Sequence, residues 1–138
     1  MLKKLIDDFV KQNETVVDFL ENYSQDYSNA DRIIPLLVDT IGHTKFNPAL
    51  GLELARLLQL SNDKEIFEQY QLEDISKLFT SLLRLQDSNL DTYIEAAHFE
   101  WAVMNNGDKA KDIIIAGLDN AMKKVDELKQ LLDKIDSE

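Results

Sequence analysis

The sequence contains no cysteine, and only four glycines and two prolines among its 138 residues. Without cysteine the chain has no disulfide framework, no thiolate ligand for zinc or iron–sulfur clusters, and no cysteine nucleophile. The four glycines are isolated from one another, so no glycine-rich loop is available to bind phosphate. Basic residues are also few, since 15 Lys and Arg stand against 26 Asp and Glu. At this length we expect one compact helical domain, residues 1–138.

The negative charge is concentrated in the middle of the chain. Residues 14–108 carry 17 acidic and six basic side chains, whereas residues 109–138 carry seven and six. Such a surface repels phosphate, which argues against direct binding of nucleic acid or of an anionic membrane and favours a basic protein partner. A purely solubilising role of the acidic residues is the simpler alternative.

Two features of the sequence predict a cytoplasmic location. The N-terminal segment places Asp7 and Asp8 where the apolar region of a secretion signal would run. No apolar stretch is long enough to cross a bilayer, so no membrane partner is expected.

Apolar residues recur every three or four positions along most of the chain, and no segment alternates with the period of two that marks a strand. The pattern predicts an all-α fold of six or seven antiparallel helices, stacked as hairpins in a right-handed arrangement, with a long C-terminal helix. The predicted helices are a first one ending near Asn22, a second from an Asp31 cap to Gly42, a third opened by Asn47-Pro48, a short one around Ile66, Phe67 and Tyr70, a fifth from Leu72 to Gln86, a sixth from Leu90 to about Asn105, and a last one from Lys109.

Side-chain patterns add three expectations for these helices. Asp108 is expected to cap the last helix, because a carboxylate there can accept from free backbone N–H groups. The sixth helix carries Ile94 and Trp101 on one side and Phe99 on another, so neighbours are expected to cover both sides. The third helix is expected to bury its leucines, Leu50, Leu54, Leu57 and Leu58.

The last helix carries apolar residues in the alternating 3-4 spacing of a heptad repeat. A stripe with this spacing needs cover from another helix. It is expected to fold back on the first helix of the same chain, to project at its last turns (residues 121–138), or to act as a docking or self-association helix, for instance in an antiparallel dimer. We call this stripe the C-terminal seam, and its members are Leu118, Ala121, Val125, Leu128, Leu132 and Ile135.

Small and bulky residues follow a fixed order across the sixth and seventh helices. Ala110 and Gly117 would let two antiparallel helices approach closely while bulkier residues fill the gap. The residues in this order are Ile94, Ala97, Trp101, Ala110, Ile114, Gly117 and Leu118. With this order, residues 90–121 resemble one tetratricopeptide repeat or the related half-a-tetratricopeptide repeat. His98 stands where that family usually has glycine, and Met122 continues the helix where proline is usual. The resemblance implies a helical module that binds a partner rather than a catalyst.

Glu95 and His98 have the Glu-x-x-His spacing that places a carboxylate and an imidazole on one helical face in di-iron bundles. A working site needs a second such pair and two further glutamates. The other histidine, His43, has Thr40 in place of the glutamate. No metal and no cofactor are therefore expected. A serine nucleophile needs a histidine base with its own orienting group, and the sequence has no G-x-S-x-G turn to present the serine, so the chain is expected not to be an enzyme.

Aromatic residues crowd the acidic middle of the chain, and filling the core is their simplest role. The alternative is an acidic groove that binds a basic protein, with Tyr93, Glu95 and Trp101 as first contacts. On this basis we expect a non-catalytic adaptor or assembly module. An acidic inhibitor that imitates nucleic acid is the second alternative, and a di-metal helical-bundle enzyme is the third. The further acidic residues assigned to the partner surface are Glu65, Glu68, Glu73 and Asp74.

Overall fold

The described part of the chain is built from α-helices. The computed structural model describes residues 1–23, 33, 35–36, 39–40, 43–44, 48–60, 64–85 and 89–138. Within these residues no strand occurs, which confirms the all-α prediction. The helices with described bounds are α1 (Leu2–Tyr23), α2 (Pro48–Leu60), α3 (Lys64–Phe67), α4 (Leu72–Leu85), α5 (Leu90–Ala102) and α6 (Gly107–Asp136). Residues 33, 35–36, 39–40 and 43 are also helical. The predicted long C-terminal helix is confirmed, since α6 has 30 residues and spans about 45 Å.

The predicted helix boundaries agree with the structure to within a few residues. α2 begins at Pro48 as predicted, because proline at a first helical position lacks only an N–H that would have no partner inside the helix. α5 ends at Ala102, earlier than the predicted Asn105, and Tyr70 lies beyond the end of α3. Four other predicted boundary residues, Asp31, Gly42, Asn47 and Gln86, lie outside the described residues.

Contacts divide the chain into two compact units, Met1–Leu85 and Gln86–Glu138. In the first unit, α4 contacts both α1 and α2, and in the second unit α5 contacts α6. The expectation of a single domain stays a prediction.

α4 supplies the centre of the first unit's core through one fully buried face. Its buried apolar residues follow the i, i+3, i+4, i+7 spacing of an amphipathic helix. α1 and α4 also share a buried polar contact, in which the Asn13 side chain donates to Ser81 Oγ at 2.9 Å. This bond gives both polar groups a partner away from water. The apolar residues are Ile75, Leu78, Phe79 and Leu82 of α4, with Ile6, Phe9 and Val17 of α1.

Two polar side chains stabilise the helix ends of this unit. Asp74, the third residue of α4, is buried and accepts from the Gln71 backbone N–H at 2.9 Å, which pairs a donor at the start of the helix. The Tyr70 hydroxyl donates to the Leu58 carbonyl at 2.8 Å, near the end of α2, where carbonyls lack intrahelical partners. Burial raises the pKa of Tyr70 above its ordinary value, so the hydroxyl stays protonated and keeps donating.

The prediction for the leucines of α2 is confirmed in part. Leu58 is buried and Leu54 is half-buried, but Leu57 is 55% exposed, and Gly51, Leu52 and Ala55 complete the buried face. Leucines occur on all sides of α2, so their spacing gives no clear direction to the core. The small residues decide the orientation, because Gly51 lies directly against the ring of Phe9. The side chain of Leu50 lies outside the described residues.

Two expectations for the second unit are also wrong. α5 is not covered on both sides, because Ile94 and Trp101 are 64% and 65% exposed although Phe99 is buried. Asn106 rather than Asp108 caps α6, since its side chain accepts from the Lys109 backbone N–H at 3.2 Å. The preceding residue turns the chain with a left-handed φ of 53° at Asn105, a conformation that asparagine tolerates. α6 therefore begins two residues before the predicted start.

We expect Gly51→Ala to lower the free energy of unfolding by about 1–3 kcal/mol, in spite of alanine's higher helix propensity. An added Cβ at Gly51 would overlap the ring of Phe9, and this ring is buried in the core. The matched control is Gly107→Ala, where an added Cβ meets nothing within 4 Å. Urea unfolding followed by circular dichroism measures both variants. Equal stability of the two would contradict the packing of Phe9 on Gly51.

Candidate functional site

α5 and α6 form an antiparallel hairpin closed by a short turn. At the turn, Lys109 Nζ lies 2.9 Å from the buried carboxylate of Glu100, and the Asn106 backbone N–H donates to the Glu100 carbonyl at 2.7 Å. Farther from the turn, Tyr93 of α5 lies against Gly117 of α6. Contacts that lie farther along α6 fall nearer the start of α5, so the two helices are antiparallel.

Small residues bring the two helices of the hairpin close together. A Cβ added at Gly117 would lie 3.0 Å from both Cβ and Cγ of Tyr93, closer than ordinary packing allows. Ala97 and Ala110 are also buried. The close approach expected at Gly117 is therefore present, and at Ala110 it stays a prediction. Since the backbones lie so near one another, the gap between them has little room for bulky side chains.

The bulky residues instead line an open groove along one side of the hairpin. One part has a volume of about 160 Å³ and is lined by Leu90, Tyr93, Ile94, Ile114, Gly117, Leu118 and Ala121. The other has a volume of about 650 Å³ and is lined by Ile94, Ala97, His98, Trp101, Gly107, Ala110, Lys111 and Ile114. Because both parts share Ile94 and Ile114, they form one continuous surface, which we call the hairpin groove.

The hairpin groove is apolar rather than acidic. None of the described residues that line it is an acid, and its one basic residue, Lys111, lies in the part that contains Trp101. Trp101 is 65% exposed, and its ring meets His98 edge to face, with centroids 6.1 Å apart. Tyr93 is partly buried by its contact with Gly117, and Glu95 is partly buried outside the lining. Of the three predicted first contacts, Trp101 is the most open to a partner.

The C-terminal seam continues from the hairpin groove along α6. Leu118 and Ala121 belong to both surfaces. The large residues of the seam are between 46% and 67% exposed, and no residue from Met122 to Glu138 is buried. Residues 122–138 therefore carry an apolar stripe that the described part of the chain leaves uncovered.

The predicted acidic contacts lie in the first unit and differ in exposure. Glu65, Glu68 and Glu73 are exposed around α3 and the start of α4, and Glu68 lies 3.9 Å from Lys64 Nζ. Asp74 is buried and holds the start of α4 through Gln71. Its carboxylate therefore serves the fold and is not on the surface that a partner would meet.

Sequence reasoning missed Ile114, Lys111 and His98 as residues of one surface with Trp101. It assigned Ile94 and Trp101 to a covered side of the sixth helix and Ile114 to the gap between helices. The sequence does contain a pattern that could have predicted this surface. Bulky residues at positions 94, 101 and 114 flank the small residues Ala97 and Ala110. Small residues mark the contact line between two helices, so large neighbours must lie beside that line.

Two other features of the described residues bear on function. No three His, Asp or Glu side chains among them lie close enough together to hold a metal ion, and the expectation of no metal or cofactor stays a prediction. In the same residues no helix is both long enough and apolar enough to span a membrane.

Comparisons with known proteins give no relative for this chain. No family model matches it, and no curated protein and no solved structure matches it at a significant level. The resemblance of residues 90–121 to a tetratricopeptide repeat stays a prediction.

The exposure of Trp101 can be measured directly, because it is the single tryptophan of the chain. We expect its fluorescence to peak at the long wavelengths of a water-exposed indole and to be quenched readily by acrylamide. Denaturant should shift the peak only slightly. Emission at short wavelength that resists acrylamide would show that something covers the hairpin groove in the isolated protein.

Proposed function

We propose that this protein is a non-catalytic docking module, an adaptor or assembly factor that binds protein partners through the hairpin groove and the C-terminal seam. One observation carries the proposal, which is the continuous exposed apolar surface formed by α5 and α6. Contiguous exposed apolar surface commonly marks an interaction site.

The energetics of burial support a macromolecular partner. Full burial of a large aliphatic side chain contributes about 1.5–3 kcal/mol, so half-exposed residues such as Ile94 and Ile114 contribute about 1 kcal/mol each. Association costs about 4–15 kcal/mol in lost freedom and ordering. A partner that covers several of these side chains together offsets that cost, whereas a ligand that reaches one or two does not.

The form of the groove favours an amphipathic helix as the bound element. A groove between two helices accepts the apolar face of a third, with anchors at helical spacing. Lys111 beside Trp101 favours an acidic group on the partner helix at that end. The resemblance to a tetratricopeptide repeat supports the same kind of recognition. The proposal also includes a stacked-hairpin arrangement of the helices and a cytoplasmic location.

The acidic surface supplies a second, electrostatic contribution to the proposal. Glu65, Glu68 and Glu73 are exposed in the most acidic part of the chain, and such a surface attracts a partner with basic residues.

We expect simultaneous replacement of Glu65, Glu68 and Glu73 by lysine to weaken partner binding about tenfold or more, and to do so most at low salt. Helicity should not change, because all three side chains are exposed. Asp74 is left intact because its loss would damage α4. Binding that is equally strong in the triple variant at every salt concentration would remove the electrostatic contribution and leave the apolar one.

The alternative of a nucleic-acid mimic has less support. Asp112, Asp119, Asp126 and Asp133 form a regular exposed row on α6, but seven helical residues rise about 10 Å. One strand of duplex DNA carries a charge about every 3.4 Å along the axis. Residues 109–138 also carry six lysines, which dilute the field further.

Site-specific photo-crosslinking tests the docking proposal. A benzophenone side chain placed at Ile94, inside the groove, should attach a distinct protein from an extract of the source cells. The same group at Ala116, which is exposed on α6 outside the lining, is the matched control. Ile114→Asp should lower the yield at Ile94 about tenfold or more, because it places a charge in the apolar contact. Equal labelling from both positions would refute docking in the groove.

A further inference from the structure

We propose that the C-terminal seam is covered by a second copy of this chain, with the two α6 helices antiparallel and crossing between Asp126 and Glu127. The inference rests on the proposed function, in that it takes the exposed apolar surface to be a docking surface. It goes further by naming the occupant of the seam. The spacing, the side-chain volumes and the charges of α6 each support it.

The seam residues of two α6 helices face one another when the helices pair in an antiparallel arrangement. In an antiparallel pair, each a position faces a d position of the other helix. With the crossing point between Asp126 and Glu127, all six seam residues meet seam residues of the second copy. The layers are Leu118 with Ile135, Ala121 with Leu132, and Val125 with Leu128, each formed twice.

Side-chain volumes fit this register better than a parallel one. The smallest seam residue, Ala121, faces Leu132 of the second copy, and Val125 faces Leu128. In a parallel pair Ala121 would face Ala121, leaving a void in the second of the six layers of the interface. Packing without voids requires large residues opposite small ones.

The lysines beside the seam also disfavour a parallel pair. In a parallel pair, Lys124 would lie beside Lys129 of the second copy, and this like-charge contact would occur twice. In the antiparallel register Lys124 lies beside Leu131, and Lys129 lies beside Met122, both of which are exposed apolar residues. A lysine stem can cover such a residue while its ammonium group stays in water.

The distribution of charge along the chain favours the same arrangement. Residues 109–138 are nearly neutral, with seven acids and six bases, although the chain as a whole carries −11. Two copies can therefore meet at the seam without strong repulsion. Antiparallel pairing also separates the two Gly107 ends by about 60 Å along the helices, which is many times the Debye length of about 8 Å.

A pair of matched variants tests the interface. Light scattering should give twice the 15.9 kDa mass of the chain for the unmodified protein and for Gln130→Asp. Leu128→Asp should raise the dimer dissociation constant at least about tenfold, because it places a charge in the central layer. Both variants add one negative charge to exposed positions of α6, but only Leu128 belongs to the seam. Circular dichroism should give equal helicity for all three proteins.

Spin labels test the orientation, and the absence of cysteine allows each label a unique position. Ala116→Cys and Lys123→Cys label the same outer face of α6 at exposed positions. In the antiparallel register the two labels of a dimer are offset along the axis by about 32 Å for residue 116 and about 10 Å for residue 123. The distance between labels should therefore be clearly longer for residue 116. A parallel pair would give equal distances.

Each other result overturns the inference. A single-chain mass at every concentration, an assembly larger than two chains, a dimer that survives Leu128→Asp, or equal label distances would each do so. These results concern the seam, which shares only Leu118 and Ala121 with the hairpin groove, and the crosslinker at Ile94 tests docking in the groove separately. Loss of crosslinking at Ile94 with the dimer intact would instead refute the docking proposal and leave the self-association.

Discussion

The close approach of α5 and α6 is the constraint on which the candidate site depends. Gly117 lies against the stem of Tyr93 so tightly that even a methyl group would meet it at 3.0 Å. Because the contact line consists of small residues, the large ones beside it cannot enter the interface. Ile94, Ile114 and Trp101 are therefore held at the edge of the hairpin, where they form the groove. Packing density therefore creates this surface.

The polar contacts of the hairpin keep its two helices in register. Asn106 caps α6, and the Glu100–Lys109 ion pair joins the helix ends at the turn. A buried carboxylate needs a nearby cation or several donors, so Glu100 restricts how the helices can slide. A groove with a fixed shape has less ordering to lose when a partner binds, and this lowers the cost of association.

The two units differ in the side chains that they expose. The first unit buries its apolar residues around α4 and exposes carboxylates such as Glu65 and Glu73. The second unit exposes apolar residues on a helix whose charges nearly cancel. Acidic surface keeps a chain with such exposed apolar residues dissolved and lowers non-specific association. This division supports the proposed docking role.

Periodicity and local breakers such as Pro48 are enough to predict the helical class, the long last helix and the seam. The order of small and bulky residues also predicts the close approach at Gly117. Which face each helix buries depends instead on the neighbours that the folded chain brings against it. Leucines surround α2, and Gly51 against Phe9 selects its buried side; on α5, Ile94 and Trp101 have the same periodicity as core residues and are exposed. Periodicity reports that a face is apolar, but burial depends on whether a neighbouring helix has room to cover it.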